Sequence, residues 1–475
     1  MKKIISTCFI LMIVFHTNVI SQNYTFPDET EPHEGTWLQW PHGFEYGNSF
    51  MNENNATWVA MTNALQVNEK VHIIHYNATH KTQILNLLSA ASVPTTNVSF
   101  HLSQTNDVWA RDNFGVFLRN SSGALVLGDF GFNGWGGDYN FTKDNLVPAV
   151  ASAASGIPLL NLNSVMTVEG GSWELDGAGT FLATKSSILS QTNPTSPAGI
   201  LSIRNVGMTE SQAESIFTQY TGATKFIWLD GWFSNDDITD AHIDGFAKFA
   251  PGNKLVTMNQ TDLLYWGVPQ SDINILYAAS NTSNVVYTKV YLPLTVNDVS
   301  KTNGTNLGYK GSYANYYVAN NRVLVPNYND PNDAVANAII AGIYPGRTVV
   351  GIDVRNLYGN GGMVHCVTQQ QPIPLTSTGL NQIKNNASGI NLEQNFPNPF
   401  NDLCTITLTL EKETFCKIEL YNMVGELVMT LNNKKLEKGE HTFSIDAKDF
   451  ANGIYTCLLV SDNSDTISKK VIVAK

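Results

Sequence analysis

The chain has 475 residues and a formal net charge of −12 at pH 7. That balance speaks against nucleic acid as a partner, and the length exceeds the ~100–200 residues of one typical domain. An acidic surface suits a cationic substrate, although acidic soluble proteins are common.

Met1-Lys-Lys precedes an apolar run from Ile4 to Ile20, then Ser21-Gln22. The pattern predicts a secretory signal peptide over residues 1–21, cut after Ser21. The other reading is an N-terminal membrane anchor, but the run falls short of the ~20 residues a span needs. No later segment is long and apolar enough to be a transmembrane span. A large domain is expected over residues 23–384, a linker over 385–391, and a small domain over 392–475.

Within the large domain, short apolar strands are predicted at 71–75, 115–118, 124–127, 180–184, 225–229, 254–258, 285–288, 322–326 and 348–352. Helices are predicted at 56–66, 80–91, 211–220 and 331–343. Asp330-Pro-Asn-Asp333 is a helix start, with proline in the first turn beside acids. Strands alternating with helices predict an α/β domain. No strict sequence repeat is visible. From Thr405 on, short alternating runs separated by Asn and Gly turns predict a small all-β sandwich. The last run, Lys469-Lys-Val-Ile-Val-Ala-Lys475, is basic.

Only one cysteine of the large domain exists, Cys366, in Gly361-Gly-Met-Val-His-Cys366. Thiolate is a good nucleophile, and Gly361 and Gly362 let a substrate approach the backbone. A buried inert cysteine gives the same pattern. Trp109-Ala-Arg111-Asp112 could line a pocket, or be a surface ion pair beside a core tryptophan. Asp240, His242 and Asp244 would share one face if extended. They then suggest a histidine base beside a cation-binding carboxylate, or a solvated strand end. Glu169 before Gly170-Gly171 could project into a cleft, or sit in a turn. Asn315 has the same two readings.

Together these residues supply a thiol, an imidazole and several carboxylates. A planar guanidinium wants bidentate carboxylate partners. A cation held there would favour thiolate over thiol. A thiol protease needs a Cys–His pair and an oxyanion hole, not several pocket acids.

Many ordered stretches carry a resemblance over residues 26–375. They are Glu31-Pro-His-Glu-Gly-Thr-Trp37, Trp109-Ala-Arg-Asp112, Phe132-Asn-Gly-Trp-Gly-Gly137 and Glu169-Gly-Gly171. Thr239-Asp-Ala-His-Ile-Asp244, Ser312-Tyr-Ala-Asn-Tyr316, Val325-Pro-Asn-Tyr-Asn-Asp-Pro-Asn-Asp333 and Gly361-Gly-Met-Val-His-Cys-Val-Thr-Gln-Gln370 complete the set. The chain resembles the agmatine deiminase and bacterial, Porphyromonas-type peptidylarginine deiminase family. The resemblance implies a five-bladed pseudo-symmetric α/β propeller with a central site that uses no metal or cofactor. It implies catalytic roles for Cys366, His242, Asp112 and Asp244. Trp109, Glu169, Asn315, Arg111, Gly361 and Gly362 are implied to contact substrate. The expected reaction is hydrolytic deimination of a guanidinium through a covalent thiouronium on Cys366.

Two branches of the family remain. One takes agmatine to N-carbamoylputrescine; the other converts peptidyl-arginine to citrulline. The peptide branch grips a terminal carboxylate with an arginine pair, and this chain has no arginine between Arg119 and Arg204. Agmatine or a similar small guanidine is therefore the first expectation, and an arginyl peptide the second. An inactive secreted binding or adhesion protein is the reading from another class. The tail, with Asn395-Phe-Pro-Asn-Pro-Phe-Asn401, Leu420-Tyr-Asn-Met-Val-Gly425 and Gly453-Ile-Tyr455, resembles the sorting domain of proteins exported by the type IX secretion machinery. It implies a secreted or cell-surface protein.

Overall fold

The computed structural model describes residues 24–189, 203–234, 237–374, 390–422, 427–461 and 466–475. The expected signal segment 1–21 and residues 385–389 of the expected linker lie outside the described residues. The chain divides into two compact units, 1–374 and 375–475. Strand Ile390–Leu392 takes up the last two positions of the expected linker.

Five separate sheets form the first unit, among the described residues. One pattern recurs in all of them. Trp173–Leu175 runs antiparallel to Thr180–Thr184, which pairs in parallel with Lys225–Leu229. The parallel step requires a crossover, here helix Glu210–Thr221. That helix opens on a capping box between Thr209 and Gln212. Ala247–Ala250, Lys254–Thr257 and Thr288–Tyr291 repeat the order. So do Tyr317–Ala319, Arg322–Asn327 and Thr348–Asp353. Val116–Asn120, Leu125–Gly131 and Leu159–Thr167 make the fourth set. The fifth joins the two ends of the unit: Gln369–Pro372 runs antiparallel to His33–Gln39, which is parallel to Lys70–His75. The repeat that the sequence hides is thus a repeat of topology.

Most predicted strands and helices appear within a few residues of their expected bounds. Helix Gly47–Leu65 starts nine residues before position 56. The run at 285–288 is an exception. Val285 and Val286 are exposed just after a turn closed by Asn284 N donating to Asn281 O, and the strand is Thr288–Tyr291. The stretch from Asp240 to Asp244 is not extended either. Asp240 and Ala241 have φ of +58° and +71°, and Ile243–Gly245 is a 3₁₀ turn. Strand alternation therefore does not place those side chains. Among the described residues no helix is long and apolar enough to cross a membrane.

Several large aromatic residues lie in the largest core of the first unit. Trp40, Trp58, Tyr313, Tyr316 and Tyr317 are all essentially inaccessible. Among the described residues the second unit has two antiparallel sheets, one of three strands and one of four. Leu408, Ile418, Ile445, Leu459 and Val471 share its core with Cys404, Cys416 and Cys457.

Candidate active site

Each of the five sheets in the first unit has one strand that pairs antiparallel with its central strand. The segment just before each of these strands carries a site residue. Asp112 lies in the short helix Ala110–Asn113 ahead of Val116–Asn120. Glu169 and Gly171 precede Trp173–Leu175, and His242 and Asp244 precede Ala247–Ala250. Asn315 precedes Tyr317–Ala319, and Cys366 lies in the 3₁₀ turn before Gln369–Pro372. Residues distant in sequence therefore meet because they hold equivalent places in five equivalent units.

Cys366 is partly exposed, while its partners are buried. Its Sγ is 3.6 Å from Asp244 Oδ2 and 3.3 Å from Asn315 Nδ2. Asn315 also accepts from the His365 N–H at 2.9 Å, so one side chain holds both the thiol and the backbone of the residue before it. Burial pushes the Cys366 thiol well above its ordinary range, and Asp244 and Asp112 add to it. The resting cysteine is a thiol.

His242 lies between two carboxylates. Its Nδ1 is 3.8 Å from Asp112 Oδ1 and its Nε2 3.5 Å from Glu169 Oε2. Burial opposes its charge, but Asp112, Glu169 and Asp244 overcome that and push the imidazole up to about 9. Asp112 is pushed up to about 6 by burial, with Asp244 and Glu169 adding. Trp135 Nε1 donates to Asp112 Oδ2 at 3.0 Å and the Gly171 N–H to Oδ1 at 3.1 Å. Asp244 is buried, yet His365 and His242 hold its carboxyl below the ordinary range. Near neutral pH the site thus holds an imidazolium and ionised carboxylates around a protonated thiol.

Glycine is required where these groups converge. A Cβ on Gly171 would stand 2.7 Å from His242 Nδ1 and 3.0 Å from both Asp112 Oδ1 and Asp244 Oδ2. A Cβ on Gly362 would meet the Trp109 ring at 2.2 Å. Gly361 has φ of +99° and is exposed beside it. Trp109, Gly361, Gly362, Asn315, Asp112, His242, Asp244 and Cys366 thus belong to one neighbourhood.

Arg111 and Glu169 are bound otherwise than as open substrate contacts. Arg111 Nη1 donates to Gln370 Oε1 at 2.8 Å, Nε donates to the His365 carbonyl, and Nη2 is 3.7 Å from Glu29 Oε2. Glu169 Oε1 and Oε2 both accept from Arg204 Nε at 2.9 Å. Burial works against the Glu169 charge, but Arg204 and His242 keep its carboxyl below the ordinary range.

Several site residues escape sequence reasoning. His365 Nδ1 is 2.9 Å from Asp244 Oδ2 and its Nε2 2.9 Å from Glu29 Oε2. Lys248 Nζ reaches Glu29, Glu174 and His365 at 3.0–3.2 Å. Burial disfavours the Glu29 charge, but Lys248, His365 and Arg111 hold its carboxyl well below the ordinary range. Lys248, Glu174 and Gln370 come from strands, where a single polar residue gives no local signal. His365 had one, its place beside Cys366.

Comparison with known proteins agrees with this geometry. Residues 25–372 match the family model of the Porphyromonas-type peptidyl-arginine deiminases, and residues 394–474 that of the secretion system C-terminal sorting domain. A provisionally named agmatine deiminase of Legionella pneumophila is 30% identical over 366 residues, 75% of this chain and 98% of that protein. One from Latilactobacillus sakei is 28% identical over 383 residues, covering 76% and 99%. The crystal structure of a provisionally named arginine deiminase of Porphyromonas gingivalis superposes with a TM-score of 0.62 at 28% identity, covering 74% of this chain and 98% of that one. The chain belongs to the Porphyromonas-type peptidyl-arginine deiminase family and is a hydrolase acting on carbon–nitrogen bonds of guanidino groups, followed by a type IX sorting domain.

Proposed function

We propose that the protein deiminates a small guanidine without a carboxylate, agmatine above all, to the ureido compound N-carbamoylputrescine and ammonia. The carrying observation is the convergence of Cys366, Asp244, Asp112 and His242. The substrate guanidinium enters between Asp112 and Asp244, which clamp its nitrogens. Its charge offsets Asp112 and Asp244, which together with burial keep the thiol protonated, so on substrate binding the thiol gives its proton to solvent and becomes the thiolate. Cys366 Sγ bonds to the guanidinium carbon. The carbon–nitrogen bond breaks, and the leaving nitrogen takes a proton from the His242 imidazolium and departs as ammonia. A thiouronium is left on Cys366. Neutral His242 then takes a proton from water, whose oxygen bonds to the same carbon. The carbon–sulfur bond breaks, and the ureido product and the thiol are released. Asn315 keeps Sγ in place, and Trp109 flanks the substrate chain.

The arginines support a substrate lacking a carboxylate. Arg119 pairs with Glu31, and Arg204 with Glu169 and Asp240. A second reading, deimination of peptidyl-arginine to citrulline, draws on the sorting domain, which fits an enzyme that meets proteins outside the cell. We also read the five sheets as blades of a five-bladed propeller around this site, residues 1–21 as a cleaved signal peptide, and the protein as secreted or surface-attached. The test is ammonia release from agmatine, arginine, and peptides with internal or C-terminal arginine, with Cys366→Ser as control. Turnover of agmatine alone supports the first reading. Turnover of peptides replaces it with the second.

A further inference from the structure

The turn that delivers His242 is strained and is tied down from the far side of Glu169. Asp240 and Ala241 are consecutive residues in the left-handed region, at φ of +58° and +71°, where non-glycine residues are uncommon. Their carbonyls accept from Ser186 Oγ at 2.7 Å and Thr184 Oγ1 at 2.8 Å. The Asp240 carboxylate takes Arg204 Nη1, while Nε of the same guanidinium takes both oxygens of Glu169. All three side chains are buried. The next residue continues the clamp. Asn205 Oδ1 accepts from Thr167 N at 2.8 Å and Nδ2 donates to Thr167 O at 2.6 Å, two positions before Glu169.

We infer that Arg204 is a positioning residue of the reaction: one guanidinium bridges the carboxylate that faces His242 and the strained turn that carries His242, and so fixes both the place and the acidity of the imidazole. A planar fork can serve two carboxylates at once, and a lysine ammonium cannot do so in the same geometry. Charge shared with Arg204 and Asp240 is charge that Glu169 withholds from His242. The groups facing the imidazole are Asp112 and Glu169, with Asp244 and the Cys366 thiol in the same pocket.

This inference rests on the deiminase reading, so its test has a readout that needs no turnover. The His242 titration is followed by NMR of histidine-labelled full-length protein, with His242→Asn identifying the signal. Arg204→Gln leaves Glu169 unshared and moves the midpoint up by about one pH unit. Asp240→Asn removes the carboxylate that competes with Glu169 for Arg204 and moves it down. Arg204→Gln also lowers kcat by about ten- to a hundred-fold with little change in KM, Arg204→Lys lowers it less, and Ala241→Gly in the Arg204→Gln background restores part of it. Midpoints unmoved in both folded variants overturn the inference. If Arg204→Gln does not fold, an unmoved midpoint in folded Asp240→Asn overturns it alone. If ammonia is never released from any guanidine but the midpoints move in opposite directions, the proposed function fails and the positioning role stands.

Discussion

His365 Nδ1 lies 2.9 Å from Asp244 Oδ2, so the residue immediately before Cys366 holds the carboxylate that faces the Cys366 thiol. Its other ring nitrogen meets Glu29 Oε2 at the same distance. Replacing His365 by alanine leaves Asp244, Glu29 and Lys248 short of a partner in a buried setting. We expect a stability loss of about 3 kcal/mol in denaturant unfolding and a drop in kcat. Unfolding at the wild-type midpoint would mean that water replaces the imidazole at no cost.

Cys366→Ser should abolish ammonia release, by at least about 10³-fold, in a normally folded protein. The same variant should still bind substrate. At about 100 times its Kd, agmatine should add ~2.7 kcal/mol of stability, read as a rise in Tm. Residual turnover within tenfold of wild type would remove the cysteine from the chemistry.

The pH dependence follows from two groups of the site. Asp112, pushed up to about 6, clamps a cation only when ionised, so kcat/KM should rise as pH passes about 6. His242, pushed up to about 9, gives a proton only as the imidazolium, so kcat/KM should fall as pH passes about 9. A bell with limbs near these values is expected. Asp112→Asn should displace the alkaline limb downward, because Asp112 is the first of the groups that raise His242.

Gly171→Ala tests how tightly the site is assembled. The new Cβ would stand 2.7 Å from His242 Nδ1, so the imidazole or the loop must move. Displacement on this scale costs about a hundredfold in kcat/KM, with only ~1–2 kcal/mol of stability. Full activity would show that the Glu169–Gly171 loop yields freely.

Much of this site can be read in the sequence. Asp112, His242, Asp244, Asn315 and Cys366 stand out because each is a polar residue near glycine or aromatic residues. The residues that hold them do not stand out. Glu174 and Lys248 lie alone inside short strands, and their partners are more than seventy positions away. Arg204 lies 35 residues from Glu169. The shared face predicted for Asp240, His242 and Asp244 failed because two left-handed residues and a 3₁₀ turn replace the strand. Asp240 consequently serves Arg204 while the other two serve the pocket. The fivefold recurrence is invisible for a related reason. Hydrogen-bond order repeats, but each helix and loop between the strands has its own length.

The two units have separate cores, so residues 24–374 should fold and act without the rest. Ammonia release per molecule should match that of the full chain. A truncated protein that aggregates or loses activity would mean that the second unit completes the first.

Among the four described cysteines, the three in the second unit are buried and only Cys366 is partly open. Among the described residues the protein therefore offers chemists a single handle, and its setting selects the reagent. Neutral alkylators meet an unreactive thiol, whereas an electrophile carrying an amidinium would bring its own activating charge. The number of such labels taken up per chain would count competent sites one by one, independent of any rate.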